Sequence, residues 1–232
     1  MDSYPNISEH GLIGDLQTAA PVTADGTIDF FCCPRFDSPG IFASLLDAKR
    51  GGYFRIRPAT DDYVTKQLYF PDTAMLITRF MTADGVGEVL DFMPVIEGKA
   101  TNRHRIVRHL RVARGTMKFQ GDLQPRFNSG QTKHSVEITE NGAIFRAEDG
   151  MELTLHTVRS ADGRRRLSWS VTGCAARSRC ARASMAGAWC SSPWAASRGR
   201  SRRPTSSGWL RTRGRSGESL GDPAGVCRRR TV

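Results

Sequence analysis

The chain has 232 residues and a formal net charge of +11, a length that allows one or two domains with a substantial core. It has no apolar run of about 18 residues and therefore predicts no transmembrane helix, and its acidic start predicts no secretory signal. The charge is uneven, because residues 1–172 hold 21 basic and 21 acidic residues whereas residues 173–232 hold 13 arginines and two acids. The two parts therefore need separate interpretations.

Residues 1–172 predict β-strands separated by tight turns. Runs of alternating apolar and polar residues, such as 135–139, have the period of a half-buried strand. The only helix predicted is a short one over residues 41–48, started by Ser38-Pro39. This spacing indicates an all-β fold, an antiparallel β-sandwich. The turns are marked by five Asx-Gly pairs, which supply the positive φ of hairpin turns: Asp25-Gly26, Asp84-Gly85, Asn141-Gly142, Asp149-Gly150 and Asp162-Gly163.

Charged residues within the predicted strands give no catalytic or metal site. We expect the basic residues of the run 106–112 on a solvated face, and a solvated face also for Asp29 and Asp91, rather than an acid–base pair. The five histidines are scattered without metal-ligand spacing, so we expect no metal and no cofactor. The adjacent Cys32 and Cys33 favour reduced, buried thiols in the cytoplasm.

Residues 173–232 have a composition that does not favour folding. They contain no Ile, Phe, Tyr, Asn, Gln, His or Lys, yet four of the six cysteines and three of the four tryptophans. We predict a disordered, basic, Arg/Ser/Ala-rich tail and interpret it as GC-rich DNA read out of frame after about Thr172. The alternative is a tail that binds nucleic acid through charge alone, with steep salt dependence and no specific recognition.

Several motifs in the first part resemble one family. The segments are GLIGDLQTAA, DGTIDF, CPRFDSP and IFASLL within residues 11–46, then LDFMP at 90–94 and DLQPRF at 122–127. They resemble the N-terminal domain of bacterial glycoside hydrolases of family 15, the trehalase and glucoamylase-like enzymes. The resemblance runs from about Tyr4 to Thr172. One departure is Pro21, which would remove a ladder hydrogen bond unless it lies at an edge.

The resemblance implies a β-sandwich that precedes a catalytic barrel of paired α-helices. It also implies hydrolysis of α-glucosidic bonds with inversion, which needs a general acid and a general base. The family's two catalytic glutamates lie in the barrel, which has no counterpart here. We therefore expect no catalytic residues and no activity of this chain alone, with the barrel as its missing partner and an α-glucoside as the substrate of the intact enzyme. The resemblance does not identify the sugar or the linkage.

Arg35 and Asp37 are the only candidate site residues in this reading. They follow Pro34, which ends a predicted strand, and lie on a loop. They would rim the pocket of an intact enzyme, or pair with each other and hold the domain interface; the second is favoured because surface charges most often pair. A rival for the whole domain is a stand-alone carbohydrate-binding or scaffold module, which would need exposed aromatic platforms. We also expect an apolar patch where the barrel is missing, and with it self-association.

Overall fold

The computed structural model describes residues 4–95, 98–99, 103–158, 167–171 and 188–191, the last two ranges for their backbone alone. All of them belong to one unit, Met1–Arg198; a second unit, Gly199–Val232, falls outside the described residues. The elements are a 3₁₀ turn at Ile7–Glu9, a helical turn α1 at Phe127–Gly130, and the strands β1 His10–Gly14, β2 Ala19–Thr23, β3 Thr27–Ile28, β4 Phe30–Cys32, β5 Gly40–Ala43, β6 Tyr53–Pro58, β7 Val64–Tyr69, β8 Leu76–Met81, β9 Gly85–Phe92, β10 His104–Gly115, β11 Phe119–Gln124, β12 His134–Thr139, β13 Gly142–Ala147, β14 Glu152–His156, β15 Leu167–Val171 and β16 Ala188–Ser191.

The strands form two large sheets and one small one. The first has the order β1-β2-β3-β6-β11-β15, and the second has the order β12-β13-β14-β16-β10-β9-β8-β7. Strands β4 and β5 form a separate antiparallel pair. Neighbouring strands are antiparallel except β11 and β15, which are parallel. The predicted antiparallel β-sandwich is confirmed.

The core lies between the two large sheets because each contributes one apolar face. Strand β6 shows the pattern: Phe54 and Ile56 are fully buried, while Tyr53, Arg55 and Arg57 point to the other side and are partly exposed. Aromatic rings from both sheets meet in the core, with Phe80 of β8 edge-on to Phe119 of β11 at 6.2 Å. This alternation leaves the outer face of β6 free to carry polar groups.

Arg108 is fully buried between the sheets, which contradicts the expectation that the basic residues of its strand are solvated. Its Nε and Nη2 donate to the two carboxylate oxygens of Asp91 at 2.9 and 3.1 Å. Its Nη1 and Nη2 also donate to the backbone carbonyls of Phe54 and Gly26 on the opposite sheet. Asp91 was expected on a solvated face, but it is fully buried and is the counterion of Arg108. A buried charge is tolerated here because all three nitrogens of the guanidinium donate hydrogen bonds.

A second ionic group lies at the middle of the eight-stranded sheet. Glu88 of β9 is opposite Arg79 of β8 and Arg111 of β10 in the strand register. Its carboxylate is 1% exposed and accepts hydrogen bonds from both guanidiniums, that of Arg79 at 2.8 Å through Nε. Burial alone would raise the pKa of Glu88, but the two arginines outweigh burial and keep it below its ordinary value.

Three local expectations can be compared with the structure. The helix predicted over residues 41–48 is wrong, because Gly40–Ala43 forms strand β5 and pairs with β4, which buries Ile41 and Phe42. The glycines at 26, 142 and 150 have positive φ as predicted, whereas Gly85 does not and is instead the first residue of β9. Asp162-Gly163 lies outside the described residues. Cys32 and Cys33 are buried free thiols.

Pro21 removes no hydrogen bond from the pairing of β1 with β2. It lies opposite Leu12 of β1, the edge strand. Leu12 directs its backbone outwards, where its N–H donates to Tyr69 Oη at 2.8 Å and its carbonyl accepts from the same hydroxyl at 3.0 Å. Pro21 is not at a sheet edge, because β2 lies between β1 and β3. Its nitrogen faces the β3 side, where β2 and β3 pair only at Val22 and Ile28, so the missing N–H falls outside that pairing.

The predicted tail overlaps the described residues only at β16. The backbone of Ala188–Ser191 pairs with β10 and β14. The rest of residues 173–232 lies outside the described part, so the out-of-frame interpretation stays a prediction. Within the described residues, no helix is long and apolar enough to cross a membrane.

Candidate functional site

A cleft of about 730 Å³ lies between the N-terminal segment, the β2–β3 turn, the polar face of β6 and the start of β7. Its wall combines three tyrosines, three carboxylates, one arginine and several short hydroxyl side chains, and it includes no Phe, Leu, Ile or Val. The lining residues are Tyr4, Pro5, Asn6, Glu9, Thr23, Ala24, Asp25, Thr27, Asp29, Ser44, Ala48, Tyr53, Arg55, Tyr63 and Thr65.

Tyr53 and Arg55 are held in place on one wall of the cleft. Tyr53 Oη donates to Asp122 Oδ2 at 2.6 Å and accepts from Gln124 Nε2 at 3.0 Å. The guanidinium of Arg55 lies 5.0 Å from the centre of the Tyr53 ring, and its Nη2 is 3.5 Å from Asp122 Oδ2. Burial and the hydrogen bond to Asp122 raise the pKa of Tyr53 to about 12. Tyr53 therefore stays protonated near neutral pH.

Asp25 is fixed by the turn between β2 and β3. Its Oδ1 accepts from the hydroxyl of Thr23 and from the backbone N–H of Thr27, the latter at 3.1 Å. Gly26 follows with φ +80°, and a Cβ there would lie 2.3 Å from the carbonyl oxygen of Ile56. The chain thus needs glycine at this position in order to bring Asp25 close to β6.

Asp29 pairs with His10 at the floor of the cleft, where the carboxylate is buried instead of lying on the expected solvated face. His10 Nε2 is 3.0 Å from Asp29 Oδ2, and His10 Nδ1 is 2.9 Å from the backbone carbonyl of Asn6. Burial alone would lower the pKa of His10, but the hydrogen bond and charge of Asp29 outweigh it and raise that pKa. Asp29 Oδ1 is buried without a hydrogen-bond partner among the described residues.

Tyr4 and Tyr63 complete the aromatic wall. Tyr4 is half-exposed and its hydroxyl accepts the backbone N–H of Ala48 at 3.3 Å, which ties the N-terminal segment to the loop after β5. Tyr63 packs edge-on against the core residue Phe80, with ring centres 5.5 Å apart. Tyr63 is therefore held by the core, and Tyr4 is held through its hydroxyl by the loop after β5.

Arg35 and Asp37 lie on the exposed loop between β4 and β5 and not in the cleft lining. Arg35 Nε and Nη2 donate to the two carboxylate oxygens of Asp37 at 2.9 and 3.1 Å. This hydrogen bonding lowers the pKa of Asp37. Phe36 between them is 72% exposed, and its N–H donates to the carbonyl of Gln17, next to the exposed Leu16. We name Leu16, Arg35, Phe36 and Asp37 the RFD surface.

Two more histidines are buried away from the cleft. His104 Nδ1 is 2.7 Å from Asp15 Oδ2, and the hydrogen bond from His104, with others from the backbone, overcomes burial and lowers the pKa of Asp15. His134 packs between Phe127 and Phe145, where burial lowers its pKa. In the described ranges, no group of three or more His, Cys, Asp or Glu side chains could hold a metal ion.

Comparison with known proteins identifies the family. A model of the trehalase-like N-terminal domain matches residues 2–161, more than half of the chain. The chain belongs to the trehalase-like N-terminal domain family. No solved structure matches it.

The relatives of this trehalase-like N-terminal domain carry the name trehalase. It is 35% identical to a trehalase of Thermoplasma volcanium over 62% of this chain and 24% of that protein. It is 33% identical to a trehalase of Thermoplasma acidophilum over 55% of this chain and 22% of that protein. It is 30% identical to trehalase 2 of Sulfolobus acidocaldarius over 57% of this chain and 21% of that protein. The matched region thus spans about a quarter of the length of these curated relatives.

Sequence reasoning missed the cleft because its wall is assembled from separate segments between residues 4 and 65. A signal was present in the series Thr23, Asp25, Thr27 and Asp29, which places polar side chains at every second position. Tyr53 with Arg55, and Tyr63 with Thr65, repeat that spacing on two other segments. Such a spacing puts polar groups on one face of a strand.

Proposed function

We propose that the chain is the N-terminal, non-catalytic domain of an inverting α-glucoside hydrolase, trehalase- or glucoamylase-like, and that it has no glycosidase activity alone. The observation that carries the proposal is the family match over residues 2–161, together with relatives that are named trehalases and are about four times longer than the matched region. The β-sandwich fold supports the same conclusion. The proposed compartment is the cytoplasm, which the buried free thiols of Cys32 and Cys33 support.

The absence of activity is argued from the chemistry of inversion. Inversion needs two carboxyl groups on opposite sides of the sugar, separated by about 6.5–9.5 Å so that water fits between them. Outside the family match, residues 173–232 offer only Glu218 and Asp222, which lie in no catalytic motif. Within the cleft, Asp29 is paired with His10, and Asp25 Oδ1 accepts hydrogen bonds within its turn. Glu9 Oε1 accepts from Asn6 Nδ2 at 3.2 Å. These roles support a scaffold and not a reaction centre.

The proposed partner is the catalytic helical barrel, and the RFD surface is the proposed contact. Leu16 and Phe36 are 68% and 72% exposed, although their loops are joined by the hydrogen bond between Phe36 and Gln17. Two exposed apolar side chains beside a bidentate ion pair are typical of a surface that another domain covers. Arg35 and Asp37 are accordingly proposed as interface residues; the alternative is a place at the rim of a sugar pocket.

The proposal is tested by assaying the purified chain for glucose release from trehalose and from maltose. We expect no turnover above a matched preparation from cells without the gene. Turnover that copurifies with the chain and is abolished by exchanging Asp25 for Asn would contradict the proposal, because it would place a reaction centre in the cleft. An intact relative assayed in parallel shows that the conditions permit hydrolysis.

A further inference from the structure

We propose that the cleft bounded by Tyr4, Tyr53, Arg55 and Tyr63 is a binding site for a neutral sugar, formed by the described domain itself. The proposal goes beyond the function proposed above, because every residue it uses belongs to the described domain and no barrel is needed. The volume of about 730 Å³ is within the range of small-molecule sites, about 300–1,000 Å³.

The first argument is the balance of hydrogen-bond donors and acceptors in the wall. Arg55 can only donate, Glu9, Asp25 and Asp29 accept when ionised, and the hydroxyls of the lining threonines and tyrosines do both. A sugar hydroxyl is itself a donor and an acceptor, so it can use all of these groups at once. A metal ion or an ammonium could use the acceptors alone and would meet the charge of Arg55.

The second argument is the aromatic content of a cleft that is otherwise polar. Tyr4, Tyr53 and Tyr63 are the large apolar surfaces in the wall, and the aliphatic lining is limited to small residues. Aromatic rings offer flat apolar contact with a polar tip. The pyranose ring has the complementary shape, with an apolar face and a rim of hydroxyls.

The third argument is that the polar groups are already fixed before any ligand arrives. The Tyr53 ring and Asp122 hold Arg55, and the turn holds Asp25 through Oδ1. Preorganised groups lose little conformational freedom on binding, which favours affinity. Asp29 Oδ1, buried beside the cleft without a partner among the described residues, adds an acceptor that a small shift of the wall would bring to a ligand hydroxyl.

The experiment titrates the full 232-residue chain with maltose and, separately, with trehalose, by isothermal calorimetry or saturation-transfer NMR. We expect saturable binding of at least one sugar, with an affinity that does not change between low and high salt, because a neutral ligand is not subject to screening. Absence of saturable binding of both sugars would overturn the proposal. Competition of spermidine or Ca²⁺ with the sugar would overturn it as well, since it would identify a cation site.

A matched pair of variants locates the site. Arg55→Met should weaken sugar binding roughly tenfold, because a charged donor is lost. Arg57→Met is the control, because Arg57 lies two residues further along the same face of β6. The Arg57 side chain is 29% exposed and that of Arg55 is 28% exposed, but Arg57 pairs with Asp61 outside the cleft. Equal loss of affinity in both variants would place the sugar elsewhere and overturn the proposal.

A second pair tests the aromatic wall without touching the core. Tyr4→Ala should also weaken binding, whereas Phe70→Ala, at an equally exposed aromatic residue outside the lining, should not. Thermal unfolding of all four variants shows whether a lost affinity is a lost fold. Unchanged affinity in both Arg55→Met and Tyr4→Ala, with binding retained, would overturn the assignment of the site. None of these results depends on whether the chain has glycosidase activity.

Discussion

Two arginine–aspartate pairs in this molecule have the same geometry and opposite surroundings. In Arg108–Asp91 and in Arg35–Asp37, Nε lies 2.9 Å from one carboxylate oxygen and Nη2 lies 3.1 Å from the other. The first pair is fully buried, and the side chains of the second are 63% and 54% exposed. Since water competes for the exposed groups, only the first pair is expected to control folding. Identical contacts therefore carry different consequences.

The largest expected effect comes from breaking the buried pair. Arg108→Met should lower the free energy of unfolding by about 3–5 kcal/mol, because it leaves the Asp91 carboxylate buried without its counterion and two carbonyls without donors. Urea denaturation measures the loss. Arg114→Met, which removes an exposed charge from the same strand, is the control. If adding Asp91→Leu to Arg108→Met restores part of the lost free energy of unfolding, the unpaired Asp91 charge is the cause of the loss. Equal losses in Arg108→Met and Arg114→Met would refute the claim that burial makes the Arg108–Asp91 pair important for folding.

An intermediate effect is expected at Glu88, where a buried carboxylate meets two partly exposed guanidiniums. Glu88→Gln keeps the shape and removes the charge, and should cost about 1–3 kcal/mol. Arg111→Met should cost less, because its guanidinium is 56% exposed and Arg79 still pairs with Glu88. Both are measured by urea denaturation at neutral pH. If Arg111→Met lowers the free energy of unfolding as much as Glu88→Gln does, solvent exposure does not determine how much an ion pair stabilises this domain.

The same carboxylate predicts an acid-dependent loss of stability. The folded pKa of Glu88 is lowered, so its contribution is fully present above its unfolded value of 4.5 and is lost as pH falls through the folded pKa. Unfolding followed from about pH 7 to about pH 3 should show a decline below that value which is shallower in Glu88→Gln. The decline that remains includes the contribution of Asp15, whose pKa is also lowered. If stability falls equally with pH in the unmodified chain and in Glu88→Gln, Glu88 is not a source of the acid-dependent loss.

The smallest effect on folding is expected at the exposed pair. Asp37→Ala should leave the urea midpoint unchanged, because solvent replaces the lost partner. The RFD surface should act on association instead: Phe36→Ser should raise the monomer fraction in analytical ultracentrifugation, whereas Val158→Ser, at an exposed apolar residue after β14, should not. A chain that is already monomeric at high concentration would contradict the predicted apolar interface.

The sequence predicted the strands well because their signals are local. Asx-Gly turns and alternating runs depend on neighbouring residues, and strands β12 and β13 follow the predicted positions around Asn141-Gly142. Arg108 was placed on the wrong face because the pattern showed a basic residue without its partners. Asp91 lies on another strand, and the carbonyls of Phe54 and Gly26 belong to the other sheet.

The candidate sites were predictable to different degrees, because one is formed by residues close in sequence and the other by residues far apart. Arg35 and Asp37 are two residues apart, so their pairing was foreseen among the alternatives. The cleft joins the N-terminal segment, the β2–β3 turn, β6 and the start of β7, and only the fold brings Tyr4 near Ala48. The helix predicted from residue 41 failed because pairing with β4 outweighed the local signal of Ser38-Pro39.

The hydroxyl of Tyr69 has a consequence for how copies of this chain meet. At the outer edge of the six-stranded sheet it occupies the N–H and the carbonyl of Leu12, the positions that an incoming strand would use. A single side chain thereby blocks strand addition, the route by which open sheet edges lead to fibrillar aggregation. Association of this domain should therefore proceed through side-chain surfaces, while Tyr69 protects the β1 edge against intermolecular sheet growth.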